Sequence, residues 1–284
     1  MLYDRVSLNV NYGDMDINAP EKNAELICYI LGDELLSRTV WGKRPAVIVC
    51  AGGGYSSRSA REAEPIALKF CAAGFHAFVL EYSTEPTGWP APTCELSNAV
   101  AYVRSIAEEN YIDEDNIYVC GFSAGGHLTA SLGVYWNDPE IQRLSNTDGE
   151  RNRPDGLILA YPVIIDEPDK THMGTYERFT EGKEYKKSRF GLDKRVSANT
   201  PECFIWHTFS DNSVPVLSSM RFASALLENG IKYELHIYPD GSHGLALGNR
   251  ITACQPKDFQ PETSAWIDLA IDWIMRRLPP LDID

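Results

Sequence analysis

Ser123 stands in Gly121-Phe122-Ser123-Ala124-Gly125, after the apolar run "NIYVC" and before the helical pattern "GGHLTASLGVYW". A serine hydroxyl at its ordinary acidity is a poor nucleophile. Acyl transfer from it needs a base within hydrogen-bond reach and an acid that orients the base. The G-x-S-x-G spacing has a mechanical reason: a tight strand-to-helix turn strains the serine backbone, and small neighbours leave room for the turn. Gly121 and Gly125 give that room, and Gly126 lets the helix approach the sheet. The N–H of Ala124, at the helix N-terminus, is then aimed where an oxyanion would form. The duller reading is a polar residue where a strand meets a helix. Which holds depends on the rest of the chain.

Six histidines are candidates for the base. His127 lies one helical turn past Ser123 and is expected in helix packing. His76, His236 and His207 border or sit in apolar strands, and His172 falls in a polar segment. His243, in "YPDGSHGLAL", follows the last strand in a glycine-flanked loop, at the sheet edge where catalytic groups gather in open α/β sheets. It is the expected base. In this elbow topology the acid falls between serine and histidine in chain order. Asp211 in "ECFIWHTFSDNSVPV" is placed for it and would accept Nδ1–H of His243. Asp211 or Ser213 could instead cap the helix that follows. Asp240 is the rival acid, but it sits only three residues from His243 in the turn "PDG", where aspartate serves the turn itself. The glycines of "VIVCAGGGYSSRSA" let backbone N–H groups approach a substrate oxygen. A phosphate cradle fits poorly, because P-loop spacing and G-x-G-x-x-G are both absent.

These residues need a scaffold, and the hydrophobic pattern predicts one. Seven strand-like runs, "AELICYIL", "RPAVIVCAGG", "HAFVLEYS", "NIYVCGFS", "DGLILAYPV", "ECFIWHTF" and "YELHIYP", alternate with amphipathic stretches. Those stretches cover 60–73, 93–109, 125–135, 214–229 and 262–278, the first and fourth ending at Gly74 and Gly230. Near-continuous apolar strands separated by helices predict a doubly wound, mostly parallel α/β sheet. The polar stretch 166–200 breaks the rhythm and is expected as a short cap inserted into a single domain spanning 1–284.

At 284 residues the chain can bury a large core. Its formal net charge of −14 disfavours nucleic acid or an anionic membrane as partner. No apolar stretch is long enough to span a bilayer, and "MLYDRVSLNVNYGDMD" does not read as a secretory signal, so a cytoplasmic location is expected. Seven scattered cysteines without a C-x-x-C pair read as reduced thiols, Cys120 among them as the buried end of a strand. No metal and no cofactor is expected, and self-association stays open.

Together "AGGGY", "GFSAGGHLTA", "SDNSVPV" and "YPDGSHGLAL" resemble the α/β-hydrolase superfamily, in particular bacterial acetylxylan-esterase-like and hormone-sensitive-lipase-like carboxylesterases. The resemblance runs from about Arg44 to Arg277, with Ala51 where the family commonly has His or Pro ahead of the glycines. It implies Ser123, Asp211 and His243 as the triad, with Gly53, Gly54 and Ala124 as oxyanion donors. It also implies release of short acyl groups, often acetyl, from plant-polysaccharide fragments. Tyr55 and Trp89 are expected to meet a sugar, since ring faces stack on aromatic side chains. A prolyl-oligopeptidase-like peptidase, a lactone or C–C hydrolase, and a fold that kept binding but lost catalysis remain open alternatives.

Overall fold

The computed structural model describes residues 1–34 and 42–279. Eight strands form one sheet: β1 (Leu2–Ser7), β2 (Glu25–Ile30), β3 (Arg44–Cys50), β4 (His76–Glu81), β5 (Ile112–Phe122), β6 (Gly156–Ala160), β7 (Cys203–Thr208) and β8 (Tyr233–Tyr238). Their order is β1-β2-β4-β3-β5-β6-β7-β8. The pairs β1/β2 and β2/β4 are antiparallel, and every pair from β4 to β8 is parallel.

All seven residues of β3 are buried, which explains its unbroken apolar run. Ala46, Ile48 and Cys50 pack into one core, and Val47 and Val49 into a second core on the opposite face. The first core includes residues of α2 (Ala91–Ser105), α3 (Ala124–Tyr135) and α7 (Leu217–Glu228); the second includes α1 (Glu64–Ala72) and α8 (Trp266–Met275). Residues 60–62, expected within the first helix, form a separate 3₁₀ turn. Gly74 and Gly230 adopt left-handed backbones with φ 94° and 72°, as residues that end helices do.

Strand β1 has no counterpart among the seven expected runs. It is an edge strand paired on one side only, and five of its six residues are exposed, so no apolar run marks it. Three further helices lie outside the expected stretches: α4 (Pro139–Leu144), capped by the Asp138 side chain, and, within the polar stretch 166–200, α5 (Met173–Thr180) and α6 (Glu184–Lys187). That stretch is less solvated than its charge suggests. Phe179, Phe190 and Leu192 are buried, and Lys186 is buried against Glu181. No helix among the described residues is long and apolar enough to cross a membrane.

Candidate active site

The turn from β5 into α3 places Ser123 at φ 53° and ψ −116°, a conformation that costs a non-glycine residue about 1–3 kcal/mol. Its neighbours explain how the turn is tolerated. A Cβ on Gly121 would lie 2.2 Å from the Gly125 carbonyl oxygen, and one on Gly125 would lie 2.1 Å from that of Cys50. The Ser123 N–H donates to Ala160 at 3.0 Å, and its carbonyl accepts from His127 and Val163. Gly125→Ala is therefore expected to force the elbow apart, with a stability loss of about 1–3 kcal/mol. A denaturant midpoint equal to that of the parent chain would contradict this.

His243 meets Ser123 from the loop after β8. The Ser123 hydroxyl and His243 Nε2 are 2.8 Å apart, and His243 Nδ1 is 2.7 Å from Asp211 Oδ2. With Nδ1–H donating to the carboxylate, Nε2 is left as the acceptor for the serine proton. Asp211 lies on the loop after β7 and is buried. Its Oδ1 accepts the N–H groups of Ser213 and Val214 at 2.9 and 3.0 Å. The carboxylate thus stiffens its own loop with one oxygen and orients the histidine with the other.

His207 is a residue whose part the sequence concealed. It is fully buried, with Nε2 3.3 Å from Asp211 Oδ2 and 3.0 Å from the Val214 carbonyl, while Nδ1 is 2.8 Å from the Ser219 hydroxyl. Burial alone would raise the Asp211 carboxyl, but hydrogen bonds from His207, His243 and the Val214 N–H hold it well below the usual carboxylate range. The carboxylate stays charged at any pH where the histidine can act. Asp240, the rival acid, is exposed in its turn.

The serine and histidine open into a cavity of about 300 Å³ that also presents Gly53, Gly54, Glu62, His172 and Arg178. Gly53 and Gly54 have φ 135° and 63°, in the region glycine tolerates and other residues do not. Ala124 is buried as the first residue of α3. Tyr55 and Trp89, expected to touch a sugar, do not line this cavity. Tyr55 is buried with its hydroxyl 3.1 Å from His127 Nδ1, and Trp89 packs on Tyr135 and Phe179 at 5.3 Å between ring centroids. Buried aromatic packing claims both rings. His127 lies as expected within helix packing, stacked on Phe190, and burial pushes its pKa down to about 3. Cys120 is fully buried in β5, where burial keeps its thiol protonated.

The groups that face the cavity in place of the aromatics come from α5. His172, at the helix N-cap, accepts the Thr175 N–H at 3.2 Å through Nδ1. Burial lowers its pKa, with the neighbouring His243 and Arg178 adding to the effect. Arg178 donates from Nε to Glu85 at 2.6 Å and from Nη1 to the Gly174 carbonyl at 2.9 Å.

A mostly parallel sheet with a serine elbow after β5 and a histidine loop after β8 is the α/β-hydrolase fold. A carboxylesterase of Lactobacillus plantarum WCFS1 superposes with TM-score 0.84 at 26% identity, each chain covered to 98%. An acetyl ester-xyloside bifunctional hydrolase of Caldicellulosiruptor lactoaceticus does so with TM-score 0.79 at 32% identity, each chain covered to 96%. The family model described as BD-FAE matches residues 35–226, and the chain belongs to that family. The endo-1,4-beta-xylanase B of Butyrivibrio fibrisolvens is 36% identical over 235 residues; the match covers 79% of this chain but only 35% of that protein's length.

Proposed function

We propose that the chain is a serine carboxylesterase that removes short acyl groups, acetyl foremost, from carbohydrate hydroxyls such as those of acetylated xylo- or manno-oligosaccharides. The observation that carries this reading is the unbroken relay from Ser123 through His243 to Asp211, at 2.8 and 2.7 Å, opening into the cavity. His243 Nε2 takes the proton from the Ser123 hydroxyl as the oxygen attacks the ester carbonyl. The developing oxyanion is received by N–H groups of Gly53, Gly54 and Ala124. The alcohol leaves with the proton from His243, and water repeats the cycle on the acyl-enzyme.

The lining of the cavity supports a small acyl group and a polar alcohol. None of the described residues that line it is aliphatic, Phe, Tyr or Trp; glycine, serine, histidine, arginine and glutamate make up the wall. A long acyl chain would find no aliphatic or aromatic carbocyclic side chain there to pack against. His172 and Arg178 offer hydrogen-bonding groups suited to sugar hydroxyls. Two similar proteins, a xylanase and an acetyl ester-xyloside bifunctional hydrolase, support a xylan-derived substrate. A cytoplasmic setting is part of the proposal, supported by seven cysteines that are all free.

The test compares p-nitrophenyl acetate with the octanoate and measures acetate liberated from acetylated xylo-oligosaccharides. A fall in kcat/KM of at least about tenfold from acetate to octanoate is expected, because the longer chain gains no burial. A preference for octanoate, or no acetate from any sugar, would overturn the carbohydrate reading. Turnover of an aminoacyl naphthylamide ahead of both esters would favour a peptidase.

A further inference from the structure

The acyl-transfer scheme leaves a buried carboxylate unused at the wall of the cavity. Glu62 ends the 3₁₀ turn before α1, is 4% exposed, and lines the cavity with Ser123 and His243. Its Oε2 accepts the Gly52 N–H at 2.8 Å, and its Oε1 accepts the Tyr161 hydroxyl at 2.6 Å. The Tyr161 oxygen in turn accepts the Ala246 N–H at 3.0 Å. One carboxylate therefore links three separate loops. Gly52 precedes the two glycines assigned to the oxyanion, Tyr161 follows β6, and Ala246 stands three residues beyond His243.

The surrounding geometry is tight. A Cβ on Gly52 would lie 2.7 Å from Glu62 Oε2 and 3.0 Å from Ser123 Cβ, so the Gly52 backbone is wedged between carboxylate and nucleophile. Tyr161 and Ala246 hold left-handed backbones at φ 37° and 52°, which persist only where surrounding contacts fix them. The Tyr161 ring lies edge-on to the His243 ring at 5.1 Å.

We propose that Glu62 is a positioning residue that sets the distance between the oxyanion donors and His243, and so acts on the transition state and not on substrate binding. The proposal rests on the reading of Ser123 as nucleophile. As an ionised carboxylate Glu62 accepts at both oxygens, from the Gly52 N–H at one and the Tyr161 hydroxyl at the other. Burial raises the Glu62 pKa, and the bonds from Tyr161 and Gly52 oppose that rise. Glutamine in its place carries a single acceptor oxygen, so with Gly52 N–H held by that oxygen the Tyr161 link must run from the amide NH₂ as a weaker neutral bond or be lost.

Glu95 provides a control within the same chain. It is also fully buried and bonded, accepting from the Ser83 N–H at 2.7 Å and the Tyr12 hydroxyl at 2.9 Å, yet it does not line the cavity. The experiment measures kcat, KM and Tm on p-nitrophenyl acetate for Glu62→Gln, Tyr161→Phe, their double variant and Glu95→Gln. Glu62→Gln and Tyr161→Phe are expected to lower kcat about 10- to 100-fold with KM within about threefold, since small misplacements of reacting groups act on kcat. The double variant is expected to be no worse than the poorer single one, because both cut the same link. Glu95→Gln is expected to lower Tm with kcat within about twofold of the parent.

Unchanged kcat in folded Glu62→Gln and Tyr161→Phe would overturn the proposal, as would kcat losses that multiply in the double variant. An equal kcat loss in Glu95→Gln would do so too, since it would reduce the effect to general destabilisation. If Glu62→Gln does not fold, Tyr161→Phe carries the test, as phenylalanine keeps the ring. Full activity in Ser123→Ala would instead remove the underlying reading, which separates the two failures.

Discussion

Ser123→Ala is expected to lower ester hydrolysis by three orders of magnitude or more while leaving the fold intact. The change deletes one oxygen from a residue that already sits in the elbow with a Cβ, so the strain at φ 53° is neither relieved nor increased. The glycines that create the turn stay in place. What disappears is the atom 2.8 Å from His243 Nε2. Residual turnover would come from water activated by the remaining histidine, with the oxyanion site still formed. Steady-state kinetics on p-nitrophenyl acetate, with a thermal melt on the same preparation, checks both halves of the expectation. Near-parental kcat/KM in the alanine variant would remove Ser123 from the mechanism.

Asp211→Asn is expected to cost on the order of 10⁴ in kcat, by analogy with other serine triads. The asparagine oxygen can still serve the N–H groups of Ser213 and Val214, so the loop keeps its shape. The amide NH₂ then faces His243 Nδ1 where Oδ2 stood, and a donor there forces the proton onto Nε2. A histidine protonated on Nε2 cannot accept from serine. Asp240→Asn, in an exposed turn, is expected to leave kcat within about threefold of the parent, because surface substitutions away from such features change little. The two variants differ by one atom each and by almost nothing in bulk. A large loss in Asp240→Asn with a small one in Asp211→Asn would reverse the assignment.

The elbow, the histidine loop and the acid could be located from sequence because each follows an apolar strand and carries a local signature. Glycines flank Ser123 and His243, and Asp211 follows "ECFIWHTF". Local signatures do not report what a side chain meets across the sheet. Glu62 reads as an acidic residue near a helix start, and Tyr161 as the aromatic end of "LILAY"; their bond spans 99 residues of sequence. His207 reads as a core histidine, which it is, and only the fold brings it to Asp211. Tyr55 misled for another reason. It adopts φ 59°, where strand alternation no longer indicates the side a residue faces, and its ring turns into the core. Strand β1 escaped notice because an edge strand with exposed residues needs no apolar pattern.

The link from Gly52 through Glu62 and Tyr161 to Ala246 also bears on how the working molecule comes into being. As the chain leaves the ribosome, Glu62 emerges long before Tyr161, and Ala246 later still. Contacts this distant in sequence close only after the intervening strands have paired, because loop closure must precede the gain from each bond. Through synthesis of all eight strands the carboxylate therefore lacks the Ala246 end of its network, and the strained left-handed residues lack the contacts that hold them. Recovery of ester hydrolysis after dilution from denaturant is therefore expected to lag the return of helix and sheet, and simultaneous recovery of the two signals would contradict this order.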